Sequence, residues 1–203
     1  GGFGYAGQTC ISVQRIFVHQ SHYDQFLQSF VEKVQLLPTG DPALETTVVG
    51  PLINEQAAIR VETWIQEAVS QGATLHTGGN RQSSVMEPTV LTNVSSTMKV
   101  CCEEIFGPVV TISPYTTLQE ALDRMNDSPF GLQAGIFTQN IDAMYHTYAN
   151  LEVGAVLVNE IPTFRADHMP YGGVKQSGLG REGVRYAIQE LTEPKLLIVK
   201  SPT

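Results

Sequence analysis

The sequence predicts an α/β protein with a mainly parallel, twisted sheet flanked by helices. Short runs rich in Val, Ile and Leu alternate with amphipathic stripes of about ten residues or more, the pattern of crossover units. The segment Gly154–Asn159 (GAVLVN) is apolar nearly throughout, as a strand covered on both faces is. A chain of 203 residues can hide roughly 70% of its unfolded surface, so it can bury one substantial core. With 42% hydrophobic and 16% charged residues it reads as globular and not disordered.

The elements follow in order. Ile11 to Val18 carries Ile, Val and Phe in the manner of a strand. Ser21 reads as a helix cap. Tyr23, Phe26, Leu27, Phe30, Val31, Val34 and Leu37 then form one apolar face, stopped by Pro38 and Gly40. A second helix runs from about Asn54 to Gln71, with Ala57, Ala58, Val61, Trp64, Ile65, Ala68 and Val69 on one side and Gly72 as terminator. Thr89–Val94 and Val109–Ser113 read as strands, and Leu118, Ala121, Leu122 and Met125 as a short helix. Leu132–Phe137 predicts a strand, Ile141–Leu151 a helix and Gly154–Asn159 the buried strand. Glu182–Leu191 is the last helix and Leu196–Val199 the last strand.

Composition excludes several functions. The formal charge of −8 argues against nucleic-acid binding, and the C-terminal 39 residues, with six bases and four acids, are too weakly basic to reverse that. No apolar run approaches a membrane span, and no signal peptide opens the chain. Three cysteines are too few for a disulfide scaffold and suit free thiols in a reducing, cytoplasmic setting. Cys101 and Cys102 are adjacent, the wrong spacing for zinc, and the five histidines are scattered, so no metal site is expected. Two literal G-x-G-x-x-G matches (Gly2, Gly4, Gly7 and Gly178, Gly180, Gly183) lack the preceding strand that a phosphate cradle needs.

Three clusters carry chemistry. Cys10 ends Gly7-Gln8-Thr9-Cys10 just before a predicted strand. A thiol at such a turn is offered backbone N–H groups that stabilise a thiolate and a developing oxyanion, although a lone cysteine is more often a small core residue. Glu103-Glu104-Ile105-Phe106-Gly107-Pro108 places acids and a ring beside a tight turn; a carboxylate can accept two hydrogen bonds from ribose hydroxyls, and a ring lends an apolar wall. Met169–Gly178 is a glycine-punctuated loop following the predicted buried strand, where ligands bind in open α/β sheets.

Together, GQTC, EEIFGPVV and PYGGVKQSGLGREG, in this order and spacing, resemble the aldehyde dehydrogenase superfamily. GDPALETTVVGPLIN (Gly40 to Asn54) and FGLQAGIFT (Phe130 to Thr138) look like it too, so the resemblance covers essentially the whole chain. It implies a catalytic domain over residues 1–192 and a C-terminal oligomerisation strand over 193–203, with the cofactor-binding Rossmann domain absent from this chain. Cys10 matches the thiol that captures the aldehyde as a thiohemiacetal, later a thioester, and its N–H matches half of the oxyanion hole. Glu104 matches the acid that binds the nicotinamide-side ribose, and Phe106 the ring beside it; the cofactor is NAD or NADP. Tyr171 stands where the family usually has Phe in its substrate tunnel, and Asn159 with Glu160–His168 matches the loop at the tunnel mouth. Cys10 is expected at a cleft floor with Glu104 and Tyr171 on the walls.

There are departures. The family's general base and oxyanion Asn lie upstream of anything present here, so this stretch alone is expected to be inactive. Ala57 replaces a Gln that often reaches the adenine-side ribose, and Arg60 stands near the position of a Lys. Thr9 stands where members acting on phosphorylated aldehydes often carry Arg. The loop from Asn159 to Met169 looks most like the branch of lactaldehyde, glyceraldehyde-3-phosphate and phosphonoacetaldehyde dehydrogenases. Arg165 and His168 either recognise an anionic aldehyde tail or close a salt bridge with Asp167 or Glu160; the sequence leaves both open. The resemblance implies a homodimer or homotetramer acting on a small aldehyde. Two alternatives remain: a coenzyme A-acylating relative, and a truncated non-catalytic assembly module.

Overall fold

Parallel pairing of Arg15–His19 (β1) with Val109–Tyr115 (β6) organises the molecule. The computed structural model describes residues 1–201. Thr89–Thr92 (β5) joins the other edge of β6 in parallel, and Thr74–Thr77 (β2) closes the sheet antiparallel, giving the order β1-β6-β5-β2. The sheet is therefore mixed but mostly parallel. Between β2 and β5 lies a small antiparallel hairpin, Arg81–Gln82 (β3) with Val85–Met86 (β4), that periodicity did not reveal.

Helices Tyr23–Gln35 (α1) and Glu55–Ser70 (α2) pack against this sheet. The Asn54 side chain accepts a hydrogen bond from Ala57 N at 2.8 Å and caps α2, which buries Ala58, Val61, Ile65 and Ala68. Gly72, at φ +106°, follows its end as expected. Ser21 does not cap α1. A 3₁₀ turn over Gln20–His22 comes first, and Ser21 is engaged with the His19 ring at 2.8 Å. The first strand also starts later than expected, because Ile11 to Gln14 are turn and irregular backbone leading from Cys10.

The short helix Lys99–Cys102 (α3) leads to the Glu104 loop. After β6 come Leu118–Asn126 (α4), Phe130–Gly131 (β7), Gln133–Ile136 (β8), Ile141–Asn150 (α5), Ala155–Val158 (β9), Val174–Lys175 (β10) and Val184–Glu190 (α6). β8 and β9 pair in parallel as a separate two-stranded sheet over a small cluster of Leu122, Ala134 and Leu151. Burial on both faces does not belong to β9, of whose residues only Leu157 is buried. It belongs to β5 and the first four residues of β6, which have a strand on each side and helices above. Leu196–Val199 pairs with no strand of the described residues, and all four of its residues are 79–85% exposed. The last two residues of the expected 193–203 segment lie outside the described residues.

Ile112, fully buried at the centre of β6, reports on this core. Ile112→Ala is expected to lower stability by about 2–5 kcal/mol in denaturant unfolding of the intact protein.

Candidate active site

The turn that presents Cys10 is built from unusual backbone. Tyr5 and Ala6 are left-handed (φ 53° and 54°), and so is Gly7 (φ 72°). Left-handed non-glycine residues cost energy and persist only where surrounding structure holds them. Gly7 has a second requirement: a Cβ there would collide with the backbone of Gly107, so the Cys10 turn rests directly on the Phe106-Gly107-Pro108 turn. Gln8 ties the same turn to the segment before α2, accepting from Ile53 N at 2.8 Å and donating to Pro51 O at 3.3 Å. Cys10 itself is exposed, with its sulfur against the Tyr171 hydroxyl. Among the described residues its backbone N–H donates to no acceptor, leaving it available to an incoming oxygen.

The Glu104 loop is fastened from two sides. Gln14 donates to Val100 O (3.2 Å) and Glu103 O (2.7 Å) and accepts from Ile105 N (3.2 Å). Arg60, stacked on Trp64 at 4.6 Å, donates to Ile105 O at 2.6 Å. Ile105 is thereby pinned in the core while its neighbours Glu104 and Phe106 face outward. Arg60 therefore anchors the loop. Phe106 is left-handed (φ 49°) with 42% of its surface exposed, and the Glu104 carboxylate has no hydrogen bond or ion pair among the described residues. An unpaired carboxylate beside an open ring fits the ribose and nicotinamide end of a dinucleotide.

Tyr171 comes from the opposite end of the sequence. The loop is anchored by pairing of β10 with β7, by Gly131 N donating to the Ser177 hydroxyl (2.9 Å), and by Lys175 donating to Asn126 O (2.7 Å). Gly154 allows the start of β9 to approach Gly172 so closely that any Cβ would clash with the Gly172 carbonyl. The Tyr171 hydroxyl then lies 2.6 Å from Cys10 Sγ, and the residue is only 6% exposed. Burial first, and the contact with Cys10 second, push its phenol above the ordinary tyrosine range.

Arg165 lies with its guanidinium 4.3 Å from the Tyr171 ring centre. Its ion pair is with Glu182, at 2.9 Å, and not with Asp167 or Glu160. Glu182 is placed by two backbone hydrogen bonds with Tyr171, of 3.1 and 2.6 Å. Sequence spacing had no means of selecting it. His168 points elsewhere: with Asp167, Val184, Arg185, Ile188 and Gln189 it lines an open groove of about 690 Å³ against α6. Asn159 (φ 56°) uses its side-chain oxygen to accept from Thr138 N at 2.9 Å, closing the end of β8. The structure thus joins Cys10, Tyr171 and Arg165 directly, ties the Glu104–Phe106 loop to the Cys10 turn through Gly7, and shows no contact bringing Asn159 or His168 to the thiol. Gln8, Gln14 and Glu182 are supports that local pattern did not single out, and Arg60, noted for its place near a family Lys, acts here on Ile105 O. Among the described residues no group of three His, Cys, Asp or Glu is arranged to hold a metal, and no helix is long and apolar enough to cross a membrane.

This architecture has known counterparts. Residues 1–197 match the model of the aldehyde dehydrogenase family. The chain is 47% identical to a 3-sulfolactaldehyde dehydrogenase of Priestia aryabhattai over 97% of its own length and 41% of that protein's. Its structure superposes on aldehyde dehydrogenase 21 from Physcomitrella patens in complex with the reaction product succinate, with a TM-score of 0.94 and 43% identity, covering 96% of this chain and 40% of that one. It also superposes on a glyceraldehyde-3-phosphate dehydrogenase from Methanocaldococcus jannaschii complexed with NADP (TM-score 0.89, 43% identity, 94% and 41% covered). The chain belongs to the aldehyde dehydrogenase family. It spans about two fifths of the length of these relatives.

If Gln14 is the clamp on the Glu104 loop, Gln14→Leu should accelerate hydrogen exchange at the Ile105 amide by roughly ten- to hundredfold, corresponding to about 1–3 kcal/mol. The Val90 amide, in the centre of the sheet, should be unchanged in the same measurement.

Proposed function

We propose that this chain supplies the thiol-bearing part of an NAD- or NADP-dependent aldehyde dehydrogenase that converts a small anionic aldehyde to the carboxylic acid. The observation that carries the reading is the exposed Cys10 thiol, held on a left-handed turn that packs against the Glu104–Phe106 loop. In this reading the Cys10 thiolate attacks the carbonyl carbon. The S–C bond forms, the carbonyl π pair moves to oxygen, and the Cys10 N–H accommodates that charge. Glu104 would hold ribose hydroxyls and Phe106 would bound the nicotinamide face. When bound, the cofactor supplies the hydride acceptor.

Arg165 supports an anionic substrate. Its guanidinium is fixed over Tyr171, one aromatic ring from the thiol, by an exposed carboxylate, Glu182, that an incoming sulfonate, carboxylate or phosphate can displace. The relatives point the same way: sulfolactaldehyde, succinate and glyceraldehyde 3-phosphate all carry an anionic tail. His168 and Asn159 would act at the mouth of the site. Residues 1–192 form the catalytic unit in this reading, and 193–203 an assembly strand: exposed Leu196–Val199 suits pairing with an edge of another subunit, as a homodimer or homotetramer. Three free thiols fit a reducing compartment such as the cytoplasm.

The test is an assay of the intact protein with NAD and NADP over sulfonated, carboxylated, phosphorylated and uncharged short aldehydes, with and without coenzyme A. Cys10→Ser should lower kcat by at least about a thousandfold. Arg165→Met should lower kcat/KM about 10- to 100-fold for anionic aldehydes and little for uncharged ones. Turnover that requires coenzyme A would select the acylating alternative. Failure of Cys10→Ser to reduce oxidation would overturn the reading.

A further inference from the structure

We propose that the Tyr171 hydroxyl is itself a catalytic residue: it donates a hydrogen bond to the Cys10 thiolate and so keeps the nucleophile charged and aimed. The inference rests on the reading of Cys10 as the nucleophile. Its basis is the 2.6 Å separation of the phenol oxygen and Sγ, between residues 161 positions apart. The phenol does not depend on the thiol for its place. Tyr171 is paired through its backbone to Glu182 in both directions, is covered by the Arg165 guanidinium, and is nearly fully buried. Among the described residues the hydroxyl has no partner other than Cys10.

The direction of the hydrogen bond follows from the surroundings. Burial, reinforced by the sulfur, holds the phenol protonated, and once the sulfur is ionised it has no proton to give, so in that state the O–H donates and the sulfur accepts. The charges facing Tyr171 are Arg165, which favours its ionised form, and Glu182, which opposes it; the two are ion-paired to each other. Among the described residues no hydrogen bond or ion pair links Cys10 to any titratable group except Tyr171. Before attack the thiol proton passes to water. On attack the sulfur lone pair becomes the S–C bond, the carbonyl π pair goes to oxygen, and Tyr171 keeps its proton throughout. Its O–H, no longer drawn to a charged sulfur, is then free for the new oxyanion. A donor that serves the charged nucleophile aids sulfur ionisation while leaving the covalent step unobstructed.

The experiment is the pH dependence of iodoacetamide alkylation at Cys10 in the intact protein, read by mass spectrometry, with Cys101 and Cys102 as internal references for the fold. Tyr171→Phe keeps the ring under Arg165 and removes only the oxygen. It is expected to move the pH of half-maximal alkylation up by about one unit, so the rate well below that pH falls about tenfold while the high-pH plateau is retained. Tyr171→Met, which also lacks a donor, should shift the profile in the same direction and serves if the Phe variant alters labelling of Cys101 or Cys102. Profiles that coincide with that of the unaltered protein, or move to lower pH, would overturn the inference. Cys10→Ser separates the two ideas. If it abolishes aldehyde oxidation while the Tyr171 variants leave the alkylation profile unmoved, this inference fails and the nucleophile stands; if oxidation persists in Cys10→Ser, the underlying reading fails.

Discussion

The contact of Gly7 with the backbone of Gly107 governs how the site is assembled. Two turns that each carry chemistry, one ending in Cys10 and the other presenting Glu104 and Phe106, meet there with no side chain between them. The Gly107 side of the contact is backed by Val61 of α2, so the main hydrophobic core lies directly beneath it. Any side chain at Gly7 would pry the turns apart and would also meet a left-handed backbone that disfavours it. The separation of thiol and carboxylate loop is therefore set by backbone packing against a close-packed core, which yields little to strain.

Supports converge on this contact from several elements. Gln14 and Arg60, one leading into β1 and the other on α2, fix the peptide groups on either side of Ile105. Gln8 fixes the Cys10 turn to the segment before α2. The outward-facing groups are supported without being engaged. Glu104 has no ion-pair partner among the described residues and Phe106 stays open, an arrangement that costs solvation nothing until a ligand arrives. Of the left-handed non-glycine residues among the described residues, Tyr5, Ala6, Phe106, Asn159 and Lys175 lie in or beside the loops singled out for function, and Ser83 and Asn93 in turns elsewhere. That distribution is what is expected where backbone strain is retained to aim a group and offset by packing nearby.

On the other side, the Tyr171 loop depends on a separate part of the chain. It is stitched to β7 and to the end of α4, over the smaller cluster of Leu122, Ala134 and Leu151. The thiol and its phenol neighbour thus stand on two different hydrophobic clusters. Their short contact spans the boundary between them, and Arg165 with Glu182 extends it outward. In a protein of this design, changes far from the thiol that loosen the smaller cluster would be felt at Cys10 through Tyr171.

Local pattern was enough for the longer helices, the main parallel strands and the places of the three loops singled out as candidates. Helical and strand periodicities survive whatever the tertiary partners are, and glycine-rich turns announce themselves by composition. It was misleading for the burial of Gly154–Asn159, and for Leu196–Val199 it named an apolar run without naming its cover. An apolar run says that a segment wants cover and not what provides it; β5 and β6 have the flanking strands and helices, whereas the C-terminal run has no partner edge among the described residues. Pattern also left Arg165 with two candidate partners nearby, and the structure chose a third. Glu182, 17 residues away, is carried to it by the backbone pairing with Tyr171. The residue types at the site were written in the sequence, because thiol, carboxylate and guanidinium chemistry is intrinsic to each side chain. Which of them touch, and that Cys10 meets a phenol 161 residues away, follows from chain crossings that no local interaction encodes.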